Sequence, residues 1–255
     1  MMVITEDVWR NYIDGLEKVD KTVKALVLKY LSTHEVDSDD GRSAFISYCF
    51  GLVTKYGEAA AEFACQMYDA ISELENAGVD YAEPAETATY SEVAKAVNGT
   101  MKNLLRAEIV AAAMGRLVKL AGQDTTLQNA IRDKAYFAWI PLGDTCPFCL
   151  AIAAEGWQKA GEKTLSGGHA EHIHGNCNCS YSIKHKETTL YPFYSPNKYQ
   201  ELFENAEGDT KEEKLNSFRR IAYDKNKEKI NAQKRSAYER TKLLNSSDAE
   251  EINVN

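Results

Sequence analysis

The apolar positions of the first 76 residues recur every three or four residues, which is the spacing of one face of a helix. Over residues 5–33 the stripe contains Val8, Tyr12, Leu16, Val19, Val23, Leu26 and Tyr30. Over residues 42–76 it contains Phe45, Tyr48, Cys49, Leu52, Tyr56, Ala60, Phe63, Ala64, Met67 and Ile71. The pattern predicts two long helices, with the acidic, turn-rich residues 34–41 between them.

Capping residues predict where these helices and the next one begin and end. Thr5 is a candidate N-cap for the first helix, and Gly78 is a candidate left-handed residue after the second. Thr89 and Glu92 have the spacing of a capping box, which predicts a helix from there to about residue 98.

Two further helices are predicted at residues 100–122 and 125–134. Together these elements predict a helical bundle over residues 1–134. The three consecutive alanines at 59–61 would allow another helix to approach the second one closely.

The pattern changes after residue 134 and predicts a small α+β module over residues 135–186. Residues 135–142 are aromatic and β-branched, and residues 179–183 alternate, so both segments are predicted strands. Residues 148–155 suit a short helix, which Gly156 would end.

Residues 187–255 are predicted to form a linker and a basic C-terminal helical tail. The linker at 190–196 carries two prolines, and a short helix at 197–205 follows. Thr210 and Glu213 again have capping-box spacing and predict the start of a long helix. The expected fold class is therefore mainly α, with an N-terminal bundle, a zinc-knuckle module and C-terminal helices.

Four of the six cysteines and three of the five histidines lie within residues 144–180. Cys146 and Cys149 form one Cys-x-x-Cys pair, and 22 residues separate them from His172. The second half of the cluster contains His172, His174, Cys177 and Cys179. Thiolates and imidazoles in two such knuckles are the ligands of a tetrahedral zinc ion.

The preferred zinc ligands are Cys146, Cys149 and His174, with either Cys177 or Cys179 as the fourth. A shell of three cysteines and one histidine is closed, which is the pattern of a structural rather than a catalytic zinc. Two disulfides are the rival interpretation, which the interleaved histidines disfavour. Cys49 and Cys65 lie alone in helical sequence and are predicted to be small buried apolar residues.

A metal-dependent nuclease of the ββα-metal type is the alternative function. His169, His172 and His174 beside a zinc knuckle resemble the histidines of such enzymes. However, no further asparagine or histidine ligand follows one helix later, and no basic groove surrounds the histidines. We therefore expect no enzymatic activity.

Charge and hydropathy limit the classes of partner that are expected for the 255-residue chain. Its net charge of −8 disfavours a general nucleic-acid coat. Residues 211–242 nevertheless carry eleven Lys/Arg against five Asp/Glu, so this segment is a candidate contact for DNA. No apolar run reaches the roughly 20 residues of a membrane helix, and no signal peptide is predicted.

Several segments resemble the Mu F-like minor head proteins of tailed phages. The likeness lies in four segments, which are the helical segment 53–69 (VTKYGEAAAEFACQMYD), the block 146–157 (CPFCLAIAAEGW), the block 174–179 (HGNCNC) and the short helix 199–206. The two cysteine blocks are its specific part. Asn178 departs from the arginine that is frequent in that family, and His172 is an addition.

This resemblance implies a minor capsid protein that acts in head assembly. Its expected partners are the portal and capsid proteins, with packaged DNA as a further partner through residues 211–242. The expected location is the virion, in the head interior or at the portal vertex, after synthesis in the bacterial host cytoplasm.

Overall fold

The computed structural model describes residues 2–100, 107–142, 147–161, 179–210 and 212–221, and five single positions from 224 to 235. Its helices are α1 (Glu6–Thr33), α2 (Asp39–Glu75), α3 (Tyr90–Thr100), α4 (Ala107–Arg132), α5 (Pro147–Ala153) and α6 (Pro196–Glu204). Residues 212–221 are also helical. The strands are β1 (Tyr136–Ile140), β2 (Gln158–Lys159) and β3 (Ser180–Lys184). The chain is thus mainly helical with one small sheet, as predicted.

Helices α1, α2 and α4 pack on one another and form the core of the bundle, and α3 packs on α2 and α4. The predicted stripes are buried, including Tyr12, Leu16, Val19 and Val23 of α1. Cys49 and Cys65 are buried in α2, as expected. Burial of such apolar side chains contributes about 1.5–3 kcal/mol each.

A small residue lets α4 approach α2 closely. A Cβ atom on Gly122 would lie only 2.9 Å from the carbonyl oxygen of Ala60, within the predicted run of alanines. Side chains larger than hydrogen at this position would therefore push the two helices apart. The predicted close contact of residues 59–61 is confirmed.

The predicted break between residues 122 and 125 is wrong, because α4 continues through it. The hydroxyl of Thr125 donates to the carbonyl of Ala121, and that of Thr126 donates to the carbonyl of Gly122. These bonds keep both threonines in helical geometry despite their preference for caps and strands. Of the predicted upstream part of this helix, residues 101–106 lie outside the described residues.

The capping predictions have mixed outcomes. Thr89 and Glu92 exchange the expected bonds, with the Glu92 carboxylate 2.8 Å from the Thr89 amide. Thr5 stands at the N-cap position of α1, but its side chain makes no capping hydrogen bond. Helix α2 ends in a left-handed residue, which is Asn76 rather than the predicted Gly78.

The sheet has the order β2-β1-β3 and is antiparallel throughout. Both predicted strands are present, and Gly156 follows α5 with a φ of 68° that suits glycine. The two-residue strand β2 was not predicted. It pairs Tyr136 with Lys159 and Phe137 with Gln158.

An irregular connector, residues 77–89, crosses the outside of α4 and is held there by polar side chains. Asn129 accepts from the amide of Glu83 at 2.9 Å and donates to its carbonyl at 2.8 Å. Thr125 accepts from the amide of Ala85, and Arg132 donates to the carbonyl of Tyr81. The side chains of α4 thus provide hydrogen-bond partners for the backbone of the connector, as a neighbouring strand would do in a sheet.

A backbone contact joins the start of α1 to the segment after the sheet. Val3 and Leu190 form a parallel bridge, in which the amide of Ile4 donates to Leu190 and the amide of Leu190 donates to Met2, both at 3.0 Å. Tyr191 and Tyr194 continue the core beyond this point. The division into three regions at 134 and 186 stays a prediction.

Candidate metal centre

The five predicted zinc ligands divide between the described and undescribed parts of the chain. Cys149 lies on α5, and Cys179 immediately precedes β3. Cys146, His174 and Cys177 lie outside the described residues, as do His169 and His172. Within the described ranges, no group of three His, Cys, Asp or Glu side chains could hold a metal ion. The ligand set therefore stays a prediction.

The two described cysteines lie in the same buried region. Cys149 is 2% exposed and Cys179 is 4% exposed. Helix α5, which carries Cys149, packs on β1, and Cys179 immediately precedes β3, the neighbour of β1 in the sheet. The amide nitrogen of Gln123 lies 3.4 Å from the carbonyl oxygen of Cys179, which ties this cysteine to α4.

The sheet places two aromatic residues beside these cysteines. Trp139 of β1 and Tyr181 of β3 are opposite each other in the register, and their rings cross edge to face with centroids 4.7 Å apart. Burial raises the pKa of the Tyr181 hydroxyl, with smaller contributions from Asp124, Cys149 and Glu155. The hydroxyl is therefore a proton donor at any physiological pH.

Three polar atoms around this region are buried without a hydrogen-bond partner among the described residues. They are the indole nitrogen of Trp139, the hydroxyl oxygen of Tyr181 and the amide oxygen of Gln123. A buried polar group without a partner costs about 1–3 kcal/mol. Two of these atoms belong to the Trp139–Tyr181 pair, whose rings are in contact.

The two described cysteines are residues of the type that binds a metal ion as thiolates. Zinc in structural sites is bound by deprotonated cysteines, and such sulfurs accept hydrogen bonds from surrounding N–H and O–H groups. Cys149 and Cys179 would supply two ligands, and the remaining ligands would come from the predicted set. The chemistry of these two cysteines is compatible with zinc.

A second polar site, which the sequence did not reveal, lies at the end of α2. Glu75 is fully buried, and its carboxylate accepts hydrogen bonds from the amides of His185 at 2.5 Å and Lys186 at 3.3 Å. The hydroxyl of Thr189 also donates to it. One carboxylate thus holds the turn after β3 against the bundle.

His185 connects this carboxylate site to the interior of α2. Its Nε2 lies 2.8 Å from the hydroxyl of Ser72, and its ring packs edge-on against Tyr68. Burial lowers the pKa of His185, although Glu75 and Asp133 act in the opposite direction. Burial thus favours the neutral imidazole, which lies within hydrogen-bond distance of Ser72.

The only sequence signal of this second site is the position of Glu75 on its helix. It continues the apolar face formed by Tyr68 and Ile71, where a solvated carboxylate would not be expected. Its partners lie more than 100 residues later, so local spacing could not identify them.

The basic tail is described only in part. Arg219 and Arg220 are exposed on the helix at 212–221, and the expected capping bonds between Thr210 and Glu213 are present. Arg219 donates to Asn216 of the same helix. The rest of the basic segment lies outside the described residues, apart from single positions.

Comparison with protein families gives one match, which covers the bundle, the described cysteines and α6. Residues 3–206 match the family model described as VG15 protein. The chain belongs to the VG15 family. This is a family of viral gene products from phages, so the chain is a phage protein.

The VG15 match ends before most of the basic tail, at residue 206. No curated protein and no solved structure matches the chain. None of the helices in the described part of this VG15 protein is long and apolar enough to cross a membrane.

Proposed function

We propose that this protein is a minor capsid protein of a phage or prophage, which acts in head assembly at the portal or the inner capsid surface. Its partners would be the portal and capsid proteins, and its location would be the virion. Membership of the VG15 family over residues 3–206 carries this proposal. The cysteine blocks that resemble the Mu F-like minor head proteins support its finer part.

A structural zinc ion in the 135–186 module is the second element of the proposal. The ligands would be Cys146, Cys149 and His174, with Cys177 or Cys179. The spacing of the cysteines and histidines and the burial of Cys149 and Cys179 support it. Because the sheet has three short strands within the described residues, a metal ion would contribute directly to the stability of this module.

The role in the particle is tested by locating the protein in purified virions. Particles are purified from a strain that makes the phage, and the protein is quantified by mass spectrometry against the major capsid protein. We expect it at a few copies per particle, and we expect deletion of its gene to reduce the yield of filled heads. Its absence from intact particles, with normal heads in the deletion strain, would contradict the proposal.

The zinc ion is tested by elemental analysis of the purified protein and of a Cys149→Ser variant. We expect about one zinc per chain, a lower content in the variant, and a lower melting temperature. Cys65→Ser is the matched control, because Cys65 is a buried cysteine in α2 outside the module. Equal zinc content and melting in both variants would refute the structural zinc.

The absence of enzymatic activity is also part of the proposal. The zinc-loaded protein is incubated with DNA and RNA in the presence of Mg²⁺ or Mn²⁺, and we expect no cleavage. Cleavage that is lost in a His172→Ala variant, while zinc stays bound, would support the ββα-metal nuclease instead.

A further inference from the structure

Asn98 and Gly99 form the single Asn-Gly pair of the sequence, and they lie in the last turn of α3. Both residues are exposed, so the side-chain amide of Asn98 is in contact with water. Among the described residues, no atom outside its own turn lies within 4 Å of a Cβ atom built on Gly99. The surroundings of this pair therefore leave its two amide groups free to approach each other.

The side chain of an asparagine can react with the backbone of the next residue. The backbone nitrogen of Gly99 attacks the side-chain carbon Cγ of Asn98 and forms a C–N bond. The side-chain nitrogen leaves as ammonia, which also takes the proton of the attacking nitrogen, and a five-membered succinimide ring remains. Water then opens the ring at either carbonyl and gives aspartate or isoaspartate, without any oxidant or cofactor.

Glycine at the second position favours this ring closure. It has no Cβ to crowd the attacking nitrogen, and its backbone adopts more conformations than that of any other residue. Asn205 offers a comparison within the same chain. It is also exposed at the end of a helix, as the C-cap of α6, but Ala206 follows it.

Helical geometry opposes the reaction, so the last turn of α3 has to open first. In a helix each amide donates to the carbonyl four residues earlier, which keeps the nitrogen of Gly99 away from the side chain of Asn98. The hydroxyl of Thr100 donates to the carbonyls of Ala96 at 2.7 Å and Val97 at 3.1 Å, which also favours the closed turn. The reaction rate therefore depends on how often this turn opens.

Little burial holds this turn closed. Helix α3 has 11 residues and buries two of them, Val93 and Val97. Helices this short have little stability of their own, and helix ends with few buried contacts open at low free-energy cost. The end of α3 therefore opens far more readily than the core helices α1, α2 and α4.

We propose that Asn98 is a site of spontaneous deamidation, with the backbone nitrogen of Gly99 as the nucleophile. The product places a new carboxylate at the C-terminal end of α3, where the helix dipole disfavours negative charge. Isoaspartate also adds one atom to the backbone. The modification therefore loosens the end of α3, which packs on α2 and α4. This inference depends neither on the capsid role nor on zinc.

The site is tested by mass spectrometry of the purified full chain after incubation at mildly alkaline pH. Trypsin cleavage after Lys95 and Lys102 isolates the peptide 96–102, and the peptide 199–211 reports on Asn205 in the same sample. Each peptide contains a single asparagine, and deamidation raises its mass by one dalton. We expect Asn98 to react several times faster than Asn205, and equal rates would overturn the proposal.

Gly99→Ala tests the role of the attacking residue. The structure accommodates the added methyl group, and alanine is the better helix former, so this variant should fold. The reaction at Asn98 should slow to the rate of Asn205. Gly51→Ala is the matched control, because Gly51 is also exposed on a helix and has equal space around it, and it should leave the rate at Asn98 unchanged. An unchanged rate in Gly99→Ala would refute attack by Gly99.

Incubation in urea separates the effect of the Cβ atom from that of helix stability. Without the helix, Asn98 should react faster than in the folded chain, and Gly99→Ala should still slow it. Equal rates in the folded and unfolded chains would contradict control by opening of the turn.

The consequence for α3 is tested with Asn98→Asp, which has the charge of one product. Amide hydrogen exchange should become faster in the second half of α3, whereas Asn98→Gln, which keeps a neutral amide, should have little effect. Unchanged exchange in Asn98→Asp would show that the new charge does not loosen the helix.

Discussion

At the scale of single residues, buried carboxyl groups determine how stability responds to sequence and to pH. Glu75 and Asp124 are both on helices of the bundle, but their surroundings differ. Glu75 is surrounded by donors, whereas Asp124 is half-buried and lies near the charge of Glu92. They therefore lead to opposite predictions.

We expect Glu75→Ala to lower the free energy of unfolding by about 3 kcal/mol, since it leaves the buried amides of His185 and Lys186 without an acceptor. Urea denaturation followed by circular dichroism measures the change. Glu73→Ala is the matched control, because Glu73 is exposed two positions earlier, and its effect should be within about 0.5 kcal/mol. Equal effects of the two variants would contradict the role of Glu75.

Asp124 is expected to make the protein less stable as the pH rises. Burial, and secondarily the charge of Glu92, raises the pKa of Asp124 from 3.8 to about 6. The folded state then binds more protons than the unfolded state between about pH 4 and 6, so the free energy of unfolding falls across this window.

Asp124→Asn should remove that dependence and raise the free energy of unfolding at pH 7.5 by up to about 3 kcal/mol. Unfolding curves at a series of pH values test this expectation. Below pH 4 the two proteins should differ little, because Asp124 is then protonated in both states. Parallel pH profiles would contradict the assignment.

At the scale of elements, the connector at 77–89 shows how an irregular segment is fixed by a helix. Its backbone groups bond to side chains of α4, and Asn129 alone both accepts from and donates to Glu83. Asn129 is 1% exposed and also donates to the carbonyl of Thr125. The order of the connector therefore depends strongly on one amide.

We expect Asn129→Ala to lower the free energy of unfolding by about 1–3 kcal/mol, because it leaves the amide of Glu83 without its acceptor and removes one of the two donors to the carbonyl of Glu83. Amide hydrogen exchange should become much faster at Glu83 and Ala85, the connector amides that α4 holds. Gln128→Ala is the control, since Gln128 makes a single exposed bond to the same connector. Unchanged exchange in Asn129→Ala would refute the proposed anchoring.

The elements show which features sequence patterns could predict. Long helices and both five-residue strands follow from periodicity, because burial of one face dominates their formation. The continuity of α4 was not predicted from the sequence. It depends on the hydroxyls of Thr125 and Thr126, which donate to carbonyls of the same helix. The sequence pattern also did not predict the Glu75 site or the Trp139–Tyr181 pair, because each joins residues that are far apart in sequence.

The cysteines and histidines of the candidate metal centre were predicted from spacing alone, because metal ligands cluster in short knuckles. The structure adds that Cys149 and Cys179 are buried. Which of the five predicted ligands bind stays a prediction.

At the scale of the whole molecule, the body and the basic tail have different expected roles. The main core ends near Tyr194, and α6 contains no buried residue. The VG15 match also ends at residue 206. We therefore expect the tail to contribute to contacts with DNA rather than to the stability of the body.

A chain that ends at residue 206 should melt within a few degrees of the full chain. Its affinity for duplex DNA should be lower, and its dependence on salt concentration should be weaker, because phosphate contacts by Lys and Arg release counterions. Fluorescence anisotropy at several salt concentrations measures both. An unchanged affinity would show that residues 211–242 do not bind DNA.

The contact between Ile4 and Leu190 has a mechanical consequence. A pull on the chain from its C-terminal side first meets Tyr194 and Tyr191, whose hydroxyls donate to α5 and to β3. It then meets Leu190 and Thr189, which are fastened to the start of α1 and to the end of α2. Tension would therefore be shared between the sheet and the two longest helices of the described chain.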